Sequence, residues 1–122
     1  MSLNVSNKSE KCVRIYLGEE DRWHGKLLFR AVLERLLAEG CPGATVVRGV
    51  AGFGASAHIH TATTPRLSEN LPIVVEWVDS TERVESVLPM IQTVVGLKLI
   101  TVEDVHAAPR AAAAPPPRGP EG

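Results

Sequence analysis

The sequence predicts an α+β domain in the order β-α-β-β-α-β, with two helices on one face of a four-stranded antiparallel sheet. Three observations carry that prediction. Residues 11–18 alternate, with Val13, Ile15 and Leu17 on one face and Cys12, Arg14 and Tyr16 on the other, which is the period of a strand. Gly25–Glu39 repeats Leu28, Phe29, Val32, Leu33, Leu36 and Leu37 at three- and four-residue steps, the apolar stripe of a helix. Two further β-like runs, then a second helical pattern and a last β-like run, follow in turn, with no internal repeat.

Each element has its own signals. Residues 1–10 are polar and are expected to fray. In the first helix Arg30, Ala31, Glu34 and Arg35 fill the side opposite the stripe, with Arg30 and Glu34 as an i,i+4 pair. Gly40, Pro42 and Gly43 stop it. Ala44–Val50 (A-T-V-V-R-G-V) is the second strand and Leu71–Asp79 (L-P-I-V-V-E-W-V-D) the third. Asp79-Ser80-Thr81-Glu82 resembles a capping box opening the second helix, whose Val84, Val87, Leu88, Ile91 and Val95 point inward. Pro89 removes a backbone donor and crowds the carbonyl of Glu85, so a kink or an early stop is expected there. Gly96 follows, then the last strand, Leu97–Val105. From Ala107 the chain becomes a Pro/Ala tail that cannot bury a core. The organisation is thus a flexible start at 1–10, one domain at 11–106 and a disordered tail at 107–122.

This element order is the ferredoxin-like arrangement. Its uncovered sheet face should be wet and polar. The third strand instead puts Val74 and Val78 there, with only Glu76 interrupting, and the last strand has Leu97/Leu99 as well as Ile100/Val102. A sheet apolar on both faces needs a second cover, and the simplest is another copy of the chain.

Composition narrows the function classes. With 122 residues, 44% hydrophobic and 22% charged, the chain suits one ordinary globular core. A net charge of −1 gives no field for nucleic acid or an anionic membrane, and 4% aromatic content leaves no stacking platform for single strands. No apolar run approaches the about eighteen residues of a membrane helix. The N-terminus lacks a charged start followed by an apolar block, so no secretory signal is read. Cys12 and Cys41 have no metal or redox spacing and read as reduced thiols. A cytoplasmic protein without membrane insertion is expected. Nothing matches a nucleophile elbow, a P-loop or a metal-hydrolase motif, so no catalytic residues are assigned.

Between the second and third strands lies a polar segment, Gly52–Asn70 (G-F-G-A-S-A-H-I-H-T-A-T-T-P-R-L-S-E-N). Strand connections usually take about two to six residues, and one this long without structure of its own is usually functional. His58 and His60 stand two apart on one side of an extended chain. They are weak metal candidates, because Zn²⁺ takes about three or four protein ligands and nothing flanks them closely.

The runs L-G-E-E-D-R-W-H-G-K-L-L and G-A-T-V-V-R-G-V-A-G-F-G-A-S, with I-H-T-A and L-S-E-N-L-P-I-V-V-E-W-V-D, resemble the PII-like family catalogued as domain of unknown function 190. A more distant likeness is to the nitrogen-regulatory PII proteins, through Gly52-Phe53-Gly54 and the placement of the long loop. The resemblance implies a homotrimer of ferredoxin-like subunits that regulates rather than catalyses. It would take an adenine nucleotide (ATP, ADP or AMP) at subunit clefts and signal through the 52–70 loop.

Against that expectation, Gly52-Phe53-Gly54 reads as a place where glycines allow positive φ and close approach of a ligand, or as a plain strand exit. Asp21-Arg22-Trp23-His24-Gly25-Lys26, opening the first helix, offers free N–H groups, two cations and a stacking ring, or else a capping turn with Trp23 as a core or interface anchor. Gly96 and Lys98, in the turn before the last strand, share that edge of the sheet in this topology. The Val94–Lys98 turn is shorter than the phosphate loop of PII, and only Arg110 and Arg118 are basic beyond the last strand. Two other readings stand beside the sensor. One is a divalent-metal-binding trimer using His58 and His60, resembling the divalent-cation tolerance proteins. The other is a ligand-free interaction module for a membrane transporter or channel.

Overall fold

The computed structural model describes residues 9–62 and 70–109; the expectations for 1–8, 63–69 and 110–122 lie outside them. In chain order the elements are β1 (Glu10–Gly18), β2 (Arg22–Trp23), β3 (Lys26–Leu27), α1 (Leu28–Ala38), β4 (Thr45–Arg48), β5 (Ala51–Gly52), β6 (His60–Thr61), β7 (Pro72–Ser80), α2 (Thr81–Val95) and β8 (Ile100–Val105).

One antiparallel sheet in the order β4-β7-β1-β8 organises the chain, the ferredoxin-like topology expected. Its central register pairs Val13 with Trp77, Ile15 with Val75 and Leu17 with Ile73. Those six side chains stand on one face and are all buried, because both helices lie over them. Leu28, Val32 and Leu36 of α1 and Val84, Val87, Ile91 and Val95 of α2 complete the core. No helix among the described residues is long and apolar enough to cross a membrane.

Several local expectations are corrected. The first helix begins at Leu28, not Gly25, because residues 22–27 turn back as a short hairpin before it. Its buried set includes Ala31, while Leu37 is 78% exposed. A helix turns about 100° per residue, so the stripe drifts, and position 37 has rotated past the sheet edge. The second helix is capped by Ser80, whose Oγ accepts from Arg83 N–H at 3.1 Å. The position that would return the bond in a capping box is therefore Arg83, not Glu82, and the box is not formed. Asp79 is instead buried, accepting from Trp77 Nε1–H at 3.0 Å and from Ser80 N–H at 2.8 Å.

Pro89 does not stop α2, which runs unbroken through Val95 with Pro89 on its exposed side. There the freed Glu85 carbonyl can face water, which lowers the cost of the missing bond. The last strand begins at Ile100 rather than Leu97. Leu97 and Leu99 precede it, and Tyr16 N–H reaches the Leu99 carbonyl at 3.0 Å.

The face away from the helices is mixed rather than apolar throughout. Arg14 at its centre pairs with Glu76 at 2.9 Å and with Glu103 across the neighbouring strand. Around this charged cluster stand Cys12, Tyr16, Val47, Val74 and Val78, of which Val47 is 54% exposed.

Candidate functional site

One end of the sheet gathers most of the chemistry: the close of β1, the start of β7, the exit of β4 and the approach to β8. Asp21 is its hub. The turn out of β1 places its backbone so that Asp21 N–H donates to Gly18 O at 3.1 Å and its carbonyl accepts from Leu28 N–H at 2.7 Å. That second bond satisfies a donor at the start of α1, where Leu27 supplies no side-chain cap. The carboxylate of Asp21 accepts from Gly18 N–H at 2.7 Å and pairs with Lys98 Nζ at 2.8 Å through the same oxygen, Oδ2. Its other oxygen faces Asn70 Nδ2 at 3.5 Å. Burial works against the charged form, yet Lys98, the Gly18 amide and Asn70 together hold the Asp21 carboxyl below its ordinary range.

Asn70 closes the far end of the long segment onto this hub. Its Oδ1 accepts from Glu20 N–H at 2.6 Å, and the neighbouring Leu71 carbonyl accepts from Glu19 N–H at 2.7 Å. Gly18 sits beneath it so tightly that a Cβ there would lie 2.6 Å from the Asn70 amide. Gly18→Ala is therefore expected to cost about 1–3 kcal/mol of stability, the range for overpacking, and to displace Asn70. Equilibrium denaturation reads the first effect, and exchange of the Glu20 amide reads the second. An unchanged denaturation midpoint refutes the close approach.

The β4 exit is held by Arg48, whose guanidinium forks onto Glu19 at 2.8 and 3.0 Å. Gly49 then donates to the Pro72 carbonyl at 2.7 Å, and a Cβ on Gly49 would lie 2.8 Å from Pro72 Cγ.

The predicted ligand residues fall into three groups around this frame. Arg22, Trp23, His24 and Lys26 form the β2–β3 hairpin, with Arg22 opposite Leu27 and Trp23 opposite Lys26. Its two-residue turn has φ of 51° at His24 and 78° at Gly25, as a tight primed hairpin requires. These residues therefore do not present helix N–H groups to an anion, contrary to the sequence reading. Trp23 is 36% exposed with its ring edge-on to His24 at 4.3 Å, so it anchors no core. Lys26 is held by Glu34 at 2.6 Å, whereas Arg22, among the described residues, reaches only the Gly25 carbonyl at 3.5 Å.

Gly52, Phe53 and Gly54 begin the long segment. The segment is not structureless: Gly52 pairs with His60 and Ala51 with Thr61, making a small hairpin of β5 and β6 at its base. Neither Gly52 nor Gly54 has positive φ, so conformational freedom is not why glycine stands there. Gly52 packs on Pro72, where a Cβ would come to 3.0 Å of Cγ, while Gly54 faces open space and Phe53 is 71% exposed.

Gly96 does need its glycine: it ends α2 at φ 66°. Lys98 lies two residues on and reaches Asp21, so the turn before the last strand does join the edge that carries the first hairpin.

His58 and His60 come together, ring centroids 4.8 Å apart and edge to face. Among the described residues no group of three His, Cys, Asp or Glu side chains could hold a metal ion. Burial pushes both thiols up, so Cys12 and Cys41 carry little thiolate at neutral pH. The sequence reading set Asp21 at the head of the Asp21–Lys26 run without giving it a role, and missed Asn70, Gly18 and the Glu19–Arg48 fork as parts of the site.

Residues 10–107 match the family model of domain of unknown function 190, described as an uncharacterized ACR. The chain belongs to this family. The UPF0166 protein MJ1524 of Methanocaldococcus jannaschii is 37% identical over 97 residues, spanning 79% of this chain and 89% of that protein. A UPF0166 protein of Aquifex aeolicus is 36% identical over 97 residues, covering 80% and 91%. Among solved structures, the chain resembles CPII, a nitrogen regulatory PII-like protein from Thiomonas intermedia K12, with a TM-score of 0.58 at 16% identity, covering 84% of this chain and 96% of CPII. The fold of this family member is thus the PII-like one.

Proposed function

We propose that this chain is a PII-like regulator, not an enzyme, that senses an adenine nucleotide at clefts between the subunits of a homotrimer and signals through the 52–70 segment. The observation that carries the reading is convergence: the Arg22–Lys26 hairpin, the Asp21–Lys98 pair and the Gly52 exit share one end of the sheet. CPII, which has this fold, is described bound to ADP, AMP and bicarbonate. In this chain Trp23 and Phe53 are the exposed rings on which a base could stack, and Arg22 and Lys98 the cations suited to phosphate. The short turn before β8 favours the mono- and diphosphate over the triphosphate.

Support for the trimer comes from the apolar side chains left in water on one subunit. Val47, Leu99 and Tyr16 are 54%, 61% and 37% exposed on the face the helices do not cover.

Thermal unfolding against ATP, ADP, AMP, cyclic AMP and divalent metals tests this, with sedimentation to count subunits. At a thousandfold its dissociation constant a ligand adds about 4 kcal/mol to the native state, a large shift. AMP or ADP is expected to give it. Stabilisation by metal alone would move the site to His58 and His60, and indifference to every nucleotide defeats the sensor reading.

A further inference from the structure

Lys98 and Asn70 share one carboxylate. Asp21 Oδ2 takes the Lys98 ammonium at 2.8 Å, and Asp21 Oδ1 faces Asn70 Nδ2 at 3.5 Å. Asn70 is also where the long segment re-enters the sheet, since its Oδ1 holds Glu20 N–H at 2.6 Å and β7 begins two residues later. The cation predicted to meet the ligand is therefore already occupied, and its occupant touches the anchor of the segment predicted to signal.

We propose that Asp21 is a built-in competitor for the ligand's phosphate on Lys98, and that its displacement is what loosens the Asn70 anchor of the 52–70 segment. The proposal rests on the nucleotide reading above and supplies its regulation. An anion arriving at Lys98 adds a second negative charge beside Asp21, and like charges at this distance repel. The carboxylate yields Lys98 and swings from its place under Asn70, keeping at most the Gly18 amide. Asn70 then holds Glu20 with one support fewer. Lys98 is suited to such an exchange, since its side chain is 41% exposed and can turn from one anion to another. The device would give the ligand-free state an ordered anchor and the bound state a released one. Arg48, which grips Glu19 separately, keeps the rest of the turn in place in both.

Asp21→Asn keeps the shape and removes the competition. In titration calorimetry it is expected to bind AMP or ADP about two- to fivefold more tightly than the natural chain, the span for no longer breaking one partly exposed ion pair. Glu20→Gln is the charge-matched control, because it removes a neighbouring negative charge that touches neither Lys98 nor Asn70 by its side chain; its affinity should change less. If both variants tighten equally, the effect is the general field and the proposal falls. If the natural chain binds nucleotide and Asp21→Asn binds no better, the competitor role falls while the sensor reading stands. Failure of the natural chain to bind any nucleotide removes both, and is recognisable as such. A second measurement reads the relay directly: AMP or ADP should raise hydrogen exchange at the Glu20 amide of the natural chain, and far less in Asp21→Asn, which has no carboxylate for the phosphate to repel. A Glu20 amide equally protected with and without nucleotide in the natural chain overturns the relay to Asn70.

Discussion

Replacing Trp77 by alanine is expected to remove about 3–5 kcal/mol of folding stability, the cost of emptying a large aromatic site in a core. Trp77 is 1% exposed at the centre of β7, paired with Val13 and packed beneath both helices. The loss has a second part. Its Nε1–H donates to Asp79 Oδ2 at 3.0 Å, and Asp79 is itself buried. Without the indole, that carboxylate keeps the Ser80 amide, the neighbouring Cys41 thiol and a distant Arg83, 3.9 Å away. Arg83 is committed elsewhere, donating to the Glu39 carbonyl at 2.7 Å and so tying the end of α1 to the start of α2. Trp77→Phe separates the parts, since it keeps most of the ring volume while losing the donor; it should cost about 1–3 kcal/mol. Urea denaturation with an unchanged slope reads both. A loss below about 1 kcal/mol for the alanine variant would mean that Trp77 does not organise this core.

The elements that the sequence revealed are those long enough to show a period. Val13, Ile15 and Leu17 mark one strand, and Ile73, Val75 and Trp77 the other, because each alternates through several residues against a single buried face. Burial along α2 likewise follows Val84, Val87, Ile91 and Val95. What the sequence concealed is short or tertiary. β2, β3, β5 and β6 are two residues each, below any periodic signal. His24-Gly25 does carry a turn signature, but Leu27 also extends the apolar pattern of the helix backward, and only the fold chooses between them. Ala31 and Leu37 were misplaced because the buried stripe is set by the sheet beneath α1, not by hydrophobicity alone.

The candidate site divides in the same way. Glycine and charge clusters at 22–26, 52–54 and 96–98 were visible as local composition. That Asp21 binds Lys98, that Asn70 binds Glu20, and that Gly18 must lack a Cβ to admit Asn70 are contacts across 77, 50 and 52 positions of chain (98 − 21, 70 − 20 and 70 − 18). No local pattern encodes them. The face opposite the helices is the intermediate case: its apolar members were legible, but Arg14 bridging Glu76 and Glu103 depends on which strands are neighbours.

Those ion pairs single out Arg22. Every other Lys and Arg among the described residues has a carboxylate within salt-bridge distance, and the cations at the site end are spoken for: Lys26 by Glu34, Arg48 by Glu19 and Lys98 by Asp21. Arg22 is exposed and, among the described residues, has only a long contact to a carbonyl. An anion can take it without breaking a pair, so its whole charge-assisted bond contributes to binding. Such bonds contribute about 1.5–3 kcal/mol. Arg22→Ala is therefore expected to weaken AMP or ADP binding by about ten- to a hundredfold. Lys26→Ala, one hairpin position from Trp23 but already satisfied by Glu34, should weaken it far less. Adenosine, which has no phosphate, should bind equally to the natural chain and to Arg22→Ala, because only the phosphate addresses the guanidinium. Calorimetric titration of the three proteins with AMP and adenosine decides it. If Arg22→Ala and Lys26→Ala lose equally for AMP, binding follows the field of the hairpin and not one free guanidinium. If neither loses, the phosphate does not lie at this hairpin.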